Sequence, residues 1–280
     1  MEPICDLHTH STFSDGTLTP TQLIREAEKA GLSAIALSDH NTAAGLPEFL
    51  QAAKNSTVEA VPGIEFSTEY LGTELHILGL GILPAHYEDV NALLQQFLQR
   101  KEQSNRDLID RLNQVGIVLN YDEIRQQSAG NINRAVIGAQ MVRLGYCESV
   151  QQAFSQYLST DKGYYIPPLR PDAFETIRFI KSIGAVAVLA HPFLNLDEGA
   201  LRIFLEQAKK AGLDGMEVLY PKYDEKTTEL SKQLAEEYGL LPSGGSDFHG
   251  QNKPDIRLGV GRGNLRIPLS FLEKLNACRG

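Results

Sequence analysis

Short apolar runs recur along this chain, and most of them empty into residues that carry charge or can hold a metal. Pro3-Ile-Cys-Asp-Leu7 runs into His8 and His10, with Asp15 in the polar turn beyond. Ser33-Ala-Ile-Ala-Leu-Ser38 ends at Asp39-His40, Ala60-Val-Pro-Gly-Ile64 at Glu65, and Ala185-Val-Ala-Val-Leu-Ala190 at His191. Leu240-Leu241 leads through Gly244-Gly245 to Asp247 and His249. Two further runs are Gly215 to Tyr220 and Leu75 to Leu83, the latter with His76 near its start. Unbroken apolar runs of this length predict strands buried on both faces, as in a parallel sheet.

Between these runs the period becomes helical. Thr19-Pro20-Thr21-Gln22 combines an N-cap, a first-turn proline and the glutamine of a capping box, and Leu23, Ile24, Ala27 and Ala30 form the stripe behind it. Gly31 stops that helix, and Gly184, Gly212 and Gly239 stop three others just before strands. Strands alternating with helices predict an α/β fold, and seven strands predict a distorted (β/α) barrel rather than a regular eight-fold one. The C-terminal strand ends of such a barrel converge on one face, where sites are built. His76 departs from this pattern because it stands at the beginning of its run.

The middle of the chain differs. Val90, Leu93, Leu94, Phe97 and Leu98, then Leu108, Ile109 and Leu112, keep helical spacing, and shorter helical patterns follow at 121–127, 134–144 and 149–158. The expected organisation is a barrel over 1–99, an all-α insertion over 100–165 and the remainder of the barrel over 166–280.

Hydrophobic content of 42% and charged content of 22% are those of a globular protein. No apolar run approaches the roughly 18 residues of a membrane helix. Met1-Glu2-Pro3 lacks the basic start and apolar core of a signal peptide, so the expectation is a cytoplasmic protein without membrane contact. Cys5, Cys147 and Cys278 are odd in number and far apart, which suggests neither a disulfide framework nor a zinc knuckle. The net charge of −9 argues against a broad nucleic-acid face, so double-stranded DNA is not an expected partner. Bound divalent ions can reverse the sign locally and admit a small anionic substrate.

Six of the seven histidines (8, 10, 40, 76, 191 and 249) sit in or beside an apolar run; His86, after Pro84, does not. A single such histidine is more often a hydrogen-bonded core residue, whereas six together point to a metal centre. His8 and His10 share a strand face and can reach one ion together. Imidazole and carboxylate ligands suit manganese, zinc or iron.

The motifs Asp6-Leu-His-Thr-His-Ser11, Ser38-Asp-His40, Gly63-Ile-Glu65, Glu74-Leu-His76, Ala190-His-Pro192 and Ser246-Asp-Phe-His-Gly250 occur in this order. In them the chain resembles the polymerase-and-histidinol-phosphatase (PHP) family of metal-dependent phosphoesterases. The resemblance implies a PHP-type barrel holding two or three divalent ions on nine ligands. His8, His10, Glu65 and Asp247 would hold one ion, and Asp15, His40 and His249 a second. A bridging Glu65 with His76 and His191 would hold a third. Of these, His8, His10, Glu65, His191, Asp247 and His249 are the implied catalytic centre. Asp6 and Asp39 are expected either to support ligating imidazoles or to serve as caps and turns. The implied reaction is hydrolysis of a phosphomonoester by a hydroxide held on the metal.

A barrel with an α-helical insertion is similar to the subgroup that acts on nucleoside 3′,5′-bisphosphates and trims short 5′-phosphorylated RNA. That subgroup holds a distal phosphate on cations of the insertion. Asn133-Arg134-Ala135 and Asp161-Lys162-Gly163-Tyr164-Tyr165 match those segments, which implies substrate contacts from Arg134, Lys162 and Tyr165. Val136 and Ala139 depart from the histidine and second arginine common there. Arg257 and Arg262 are weaker candidates, and Tyr164 or Tyr165 could stack on a base. Three alternatives remain open at this point. A histidinol-phosphate phosphatase shares the barrel without such an insertion. An amidohydrolase also opens with His-x-His, but bridges its ions with a modified lysine where Glu65 stands here. The third is a non-catalytic, metal-dependent binding module.

Overall fold

The apolar runs pair into one sheet in the computed structural model, which describes residues 2–128 and 132–279. The strands are β1 (Ile4–Thr9), β2 (Ala34–Leu37), β3 (Glu59–Tyr70), β4 (Thr73–Leu80), β5 (Val186–Leu189), β6 (Gly215–Leu219) and β7 (Leu241–Gly244). To these seven the fold adds β8, the two residues Ile267–Pro268, antiparallel to β1. The strand order is β7-β6-β5-β4-β3-β2-β1-β8. After β7 the chain turns onto the end of β1. There Asp247 N donates to His8 O and His10 N to Phe248 O, both at 2.9 Å, and the ring is drawn together on the face where β1 ends.

Neighbouring strands are parallel except around β4, which is antiparallel to both β3 and β5, and at the β1–β8 edge. β3 and β4 form a hairpin whose tip, Leu71-Gly72, has φ of 48° and 79°, the two positive values of a type I′ turn. This reversal accounts for His76. The start of β4 lies at the end of the barrel where the parallel strands finish, with His76 opposite Ser67. The run expected to reach Leu83 stops as a strand at Leu80, because Gly81 turns with φ 81° and its N–H donates to Pro62 O.

The helices are α1 (Pro20–Lys29), α2 (Leu46–Ala53), α3 (Tyr87–Gln114), α4 (Tyr121–Gln127), α5 (Arg134–Arg143), α6 (Val150–Ala153), α7 (Ala173–Ser182), α8 (Glu198–Ala211), α9 (Glu225–Glu237) and α10 (Leu269–Asn276). The capping box of α1 is formed: Gln22 N donates to Thr19 Oγ1 (3.2 Å) and Thr19 N to Gln22 Oε1 (2.8 Å). One apolar cluster, with Phe49, Phe66 and Phe204 fully buried, lies between sheet and helices. Another, built on Leu7, Ala36, Leu78 and Val188, fills the barrel interior. Each fully buried large side chain of this kind contributes about 1.5–3 kcal/mol.

α3 joins two cores. Val90, Leu94 and Phe97 pack against the barrel, while Leu108, Ile109 and Leu112 belong to a separate cluster with Ile137, Met141 and Leu158. The middle segment therefore has an apolar core of its own, carried on a helix rooted in the barrel. Asn105 Nδ2, at the changeover, donates to Ile132 O at 3.0 Å. Among the described residues no helix is long and apolar enough to cross a membrane.

Candidate metal centre

β1 aims His8 and His10 in one direction, and their Nε2 atoms are 3.1 Å apart and fully buried. The end of β2 brings His40, β3 brings Glu65 and the start of β4 brings His76. The turn after β5 brings His191, and the turn after β7 brings Asp247 and His249. His191 and Asp247 have φ of 28° and 53°, left-handed conformations that cost about 1–3 kcal/mol each in a non-glycine residue. Buried hydrogen bonds hold both. His191 N donates to Glu217 Oε2 (2.7 Å), and Asp247 N to His8 O (2.9 Å).

Glu65 stands at the middle, and its two oxygens face different histidines. Oε2 lies 3.1 Å from His8 Nε2 and 3.2 Å from both His10 Nε2 and His40 Nδ1. Oε1 lies 2.6 Å from His76 Nδ1 and 3.0 Å from His191 Nε2. Asp247 Oδ1 is 3.3 Å from His10 Nε2, and Asp15 Oδ1 is 3.2 Å from His249 Nε2. Four overlapping sets have ligand atoms within 4.8 Å of one another: His10-Asp15-His40-His249, His8-Glu65-His191, His8-His10-Asp247 and His40-Glu65-His76. Every one of the nine residues falls in at least one set.

The donors suit metal. Glu65 Oε2 and His40 Nδ1 are buried and have no hydrogen-bond partner among the described residues, although they lie 3.2 Å from each other. A buried carboxylate oxygen ringed by imidazole nitrogens but bonded to none of their protons is placed for a cation. The far side of several imidazoles is also occupied. His8 Nδ1 meets Glu217 Oε1 at 3.0 Å, His249 Nδ1 meets Asp247 O at 2.8 Å, and His76 Nε2 meets Glu74 Oε1 at 3.3 Å. With the proton on that side, the opposite nitrogen presents its lone pair to the centre.

Burial opposes charge on every member, and local partners decide where it is overcome. His8 is held well above the usual imidazole range: burial pulls it down, but Glu65 and Glu217 outweigh that. Burial likewise opposes His10 and His76, yet Asp247 and Glu65 raise the first to about 9, while Glu65 and Glu74 raise the second to about 10. For His40 burial prevails over Glu65 and Asp15 and drives the value down to about 3. Burial pushes Glu65 and Asp247 up, but the histidines around Glu65, and Lys253 beside Asp247, hold both carboxyls well below their usual range. The carboxylates stay ionised, and the protons they retain on imidazole stand where divalent charge would replace them.

A cleft of about 280 Å³ opens from the centre toward the insertion. Lys101 of α3, Arg134 at the start of α5, Arg170, Lys222 and Lys253 all line it. The Arg134 guanidinium lies 4.3 Å over the Tyr165 ring and donates to Leu158 O at 3.2 Å. Arg170 donates to Glu74 Oε2 at 2.7 Å, while its buried Nε has no hydrogen-bond partner among the described residues. Burial lowers the Lys101 ammonium to about 8. Lys162 does not line the cleft, and its amine pairs with Asp161 at 2.8 Å. Arg262 pairs with exposed Asp255 at 2.6 Å, and Arg257 lines a separate hollow beside Gly250. Tyr164 packs on Tyr157 away from the cleft.

The PHP domain matches residues 6–166, more than half of the chain. The chain belongs to the PHP domain family. A 5′-3′ exoribonuclease of Haemophilus influenzae is 34% identical over 245 residues, covering 87% of this chain and 89% of that protein. A 3′,5′-nucleoside bisphosphate phosphatase of Chromobacterium violaceum is 29% identical over 247 residues, covering 87% and 86%. Among solved structures, a Bifidobacterium adolescentis protein assigned as a metal-dependent phosphoesterase superposes with a TM-score of 0.88. It is 27% identical and covers 100% of this chain and 98% of its own. The fold and the enzyme class, a metal-dependent phosphoesterase, are those the motifs imply.

Several residues of this PHP centre escape a reading by motif. Glu217, fully buried on β6, binds both the His8 ring and the His191 backbone. A glutamate inside an apolar strand was its one signal in the sequence. Tyr220 Oη and Lys253 Nζ both donate to Asp247 Oδ2, at 2.8 and 2.6 Å. Asp6 and Asp39 serve backbone and hydroxyl groups rather than rings. Asp6 accepts from Ser246 N (2.9 Å) and Gly259 N (2.8 Å), and Asp39 from Ser11 N (2.8 Å) and Ser14 Oγ (2.6 Å).

Proposed function

We propose that this PHP protein releases phosphate from a nucleoside 3′,5′-bisphosphate to leave a nucleoside monophosphate. One observation carries the reading: Lys101, Arg134 and Arg170 line the same cleft onto which Glu65, Asp247 and the histidines open. A substrate with one phosphate at the centre and a second on these cations uses both parts, whereas histidinol phosphate would leave the cations without a partner. The Chromobacterium violaceum relative supports this substrate class. The Haemophilus influenzae exoribonuclease supports a second reading, short 5′-phosphorylated RNA.

His8, His10, Glu65 and Asp247 would hold one ion; Asp15, His40 and His249 a second; Glu65, His76 and His191 a third, with manganese, zinc or iron suited to these donors. Bound divalent ions supply positive charge for the phosphoryl oxygens and acidify water. The chain's own residues bind and orient. Arg134, stacked on Tyr165, presents a planar fork to the distal phosphate. Lys101, lowered only to about 8, keeps its charge at neutral pH, and Arg170 offers its free Nε–H. Lys253 and Tyr220 hold Asp247 by Oδ2 and leave Oδ1 toward His10. In this reading the insertion over 100–165 is the substrate cap.

The test is phosphate release by manganese-reconstituted protein from adenosine 3′,5′-bisphosphate, histidinol phosphate and an aryl phosphate. The bisphosphate should lead by about tenfold or more in kcat/KM, a binding difference of about 1.4 kcal/mol. Preference for histidinol phosphate, or full activity after thorough chelation, overturns the proposal.

A further inference from the structure

A nucleoside 3′,5′-bisphosphate has three arms on one ribose. With that substrate, on whose assignment the inference rests, one phosphate lies at the centre and the other in the cationic cleft, so the base needs a third place. A second hollow, about 450 Å³, also reaches the centre, and Asp15 is the one described residue that lines both it and the cleft. Its volume lies within the range of roughly 300–1,000 Å³ usual for small-ligand sites.

The chemistry of the hollow differs from that of the cleft. Ile124, Val136 and Ala139 supply an apolar wall, and the cation at its edge is Arg143, with the Asp15 carboxylate also present. Val136, Ala139, Gln140 and Arg143 follow the spacing of one helix face, whereas Arg134 and Ala135, at the start of the same helix, line the cleft. α5 thus presents one end to each space. Gln140 is buried, and its side-chain oxygen accepts from Arg143 Nε at 2.9 Å. That bond leaves the Gln140 amide NH₂ with no partner among the described residues. An apolar wall beside a free amide donor matches a planar heterocycle, which buries its face and offers ring nitrogen or carbonyl acceptors at its edge. A third anionic group would find one arginine there and a carboxylate against it.

We infer that this hollow takes the nucleobase, its face on Ile124, Val136 and Ala139 and its edge on the Gln140 amide. The experiment compares adenosine 3′,5′-bisphosphate with ribose 3,5-bisphosphate, which lacks the base, on manganese-loaded wild type, Ala139→Phe and Gln140→Leu. Ala139→Phe puts a ring against the apolar wall, in the space the base face would occupy, and Gln140→Leu keeps the volume but removes the donor. Wild type should favour the nucleotide by about tenfold in kcat/KM, the range a filled apolar pocket confers. Ala139→Phe should erase that preference through KM, Gln140→Leu should reduce it, and both should stay within about twofold of wild type on the sugar bisphosphate. Equal handling of the two compounds by wild type, or a preference that survives both substitutions, overturns the assignment while phosphate release itself remains. Failure of wild type to hydrolyse either compound overturns the functional reading and the base assignment with it.

Discussion

Glu217→Gln probes how the metal centre is held, at a buried residue that does not line the cleft. Glu217 is fully buried and uses both oxygens, Oε1 for the His8 ring at 3.0 Å and Oε2 for the His191 backbone N–H at 2.7 Å. Glutamine has the same shape but one acceptor, so one of two buried donors must face an NH₂ group. Removing the acceptor and leaving its buried partner unpaired costs about 1–3 kcal/mol, toward the upper end because the lost hydrogen bond is to a charged group. If the backbone bond survives, the His8 ring loses the group that fixes its proton on Nδ1 and its lone pair on Nε2. Loss of such an outer partner typically weakens metal affinity or activity by about 10–100-fold, or about 1.4–2.7 kcal/mol. If the ring bond survives, His191 loses the contact that holds its left-handed backbone, and the cost appears chiefly as a lower Tm. The assay is competition with a fluorescent chelator for manganese and zinc, alongside thermal melts of metal-free and metal-loaded protein. Metal affinity and metal-free Tm both equal to wild type would refute the argument.

Arg134→Ala should raise KM for adenosine 3′,5′-bisphosphate about tenfold through loss of charge-assisted phosphate contacts, with little change for an aryl phosphate; equal effects on both remove Arg134 from phosphate recognition. His10 and His76 are raised in the metal-free protein to about 9 and about 10, against about 6.5 when unfolded. Their charged forms therefore stabilise the metal-free fold below about pH 6.5, and that stability is lost as pH rises through about 9–10. The Tm of metal-free protein should fall between pH 7 and 10 more steeply than that of loaded protein, whose ligating imidazoles are already deprotonated, and parallel curves would count against it. Leu71, 85% exposed with φ 48° at the β3–β4 tip, pays for a left-handed backbone without packing anything. Leu71→Asn, which makes the tip Asn-Gly, should stabilise by about 1 kcal/mol in denaturant unfolding, and no change would show that the turn is not strained there.

Local chemistry made much of this protein legible. The capping box at Thr19, the glycines that stop four of the helices (Gly31, Gly184, Gly212 and Gly239) and the apolar runs act over a few residues, so the strands and most helices stand close to where pattern places them. A run that is buried on both faces must end where it can regain polar surroundings. That is why the end of a run marked His40, His191 and Asp247 as neighbours in space although they are far apart in the chain; Glu65, expected at such an end, lies inside β3, which runs on to Tyr70. Other features depend on packing between distant segments. Only the antiparallel turn of β4 brings His76 to the centre, and only the register of β6 against β7, whose following turn docks on the end of β1, points Glu217 at His8. The cleft cations Lys101, Arg134 and Arg170 come from three separate segments, α3, the start of α5 and the stretch leading into α7, which only the tertiary packing brings to one space. Hence Lys101 and Arg170 enter it, while Lys162, which a local match would place there, turns to Asp161. The sequence alone determined the elements and the kinds of side chain at their ends, because these follow from short-range periodicity and capping. The tertiary structure decided which of those side chains share one space, because burial and strand direction are properties of the assembled sheet.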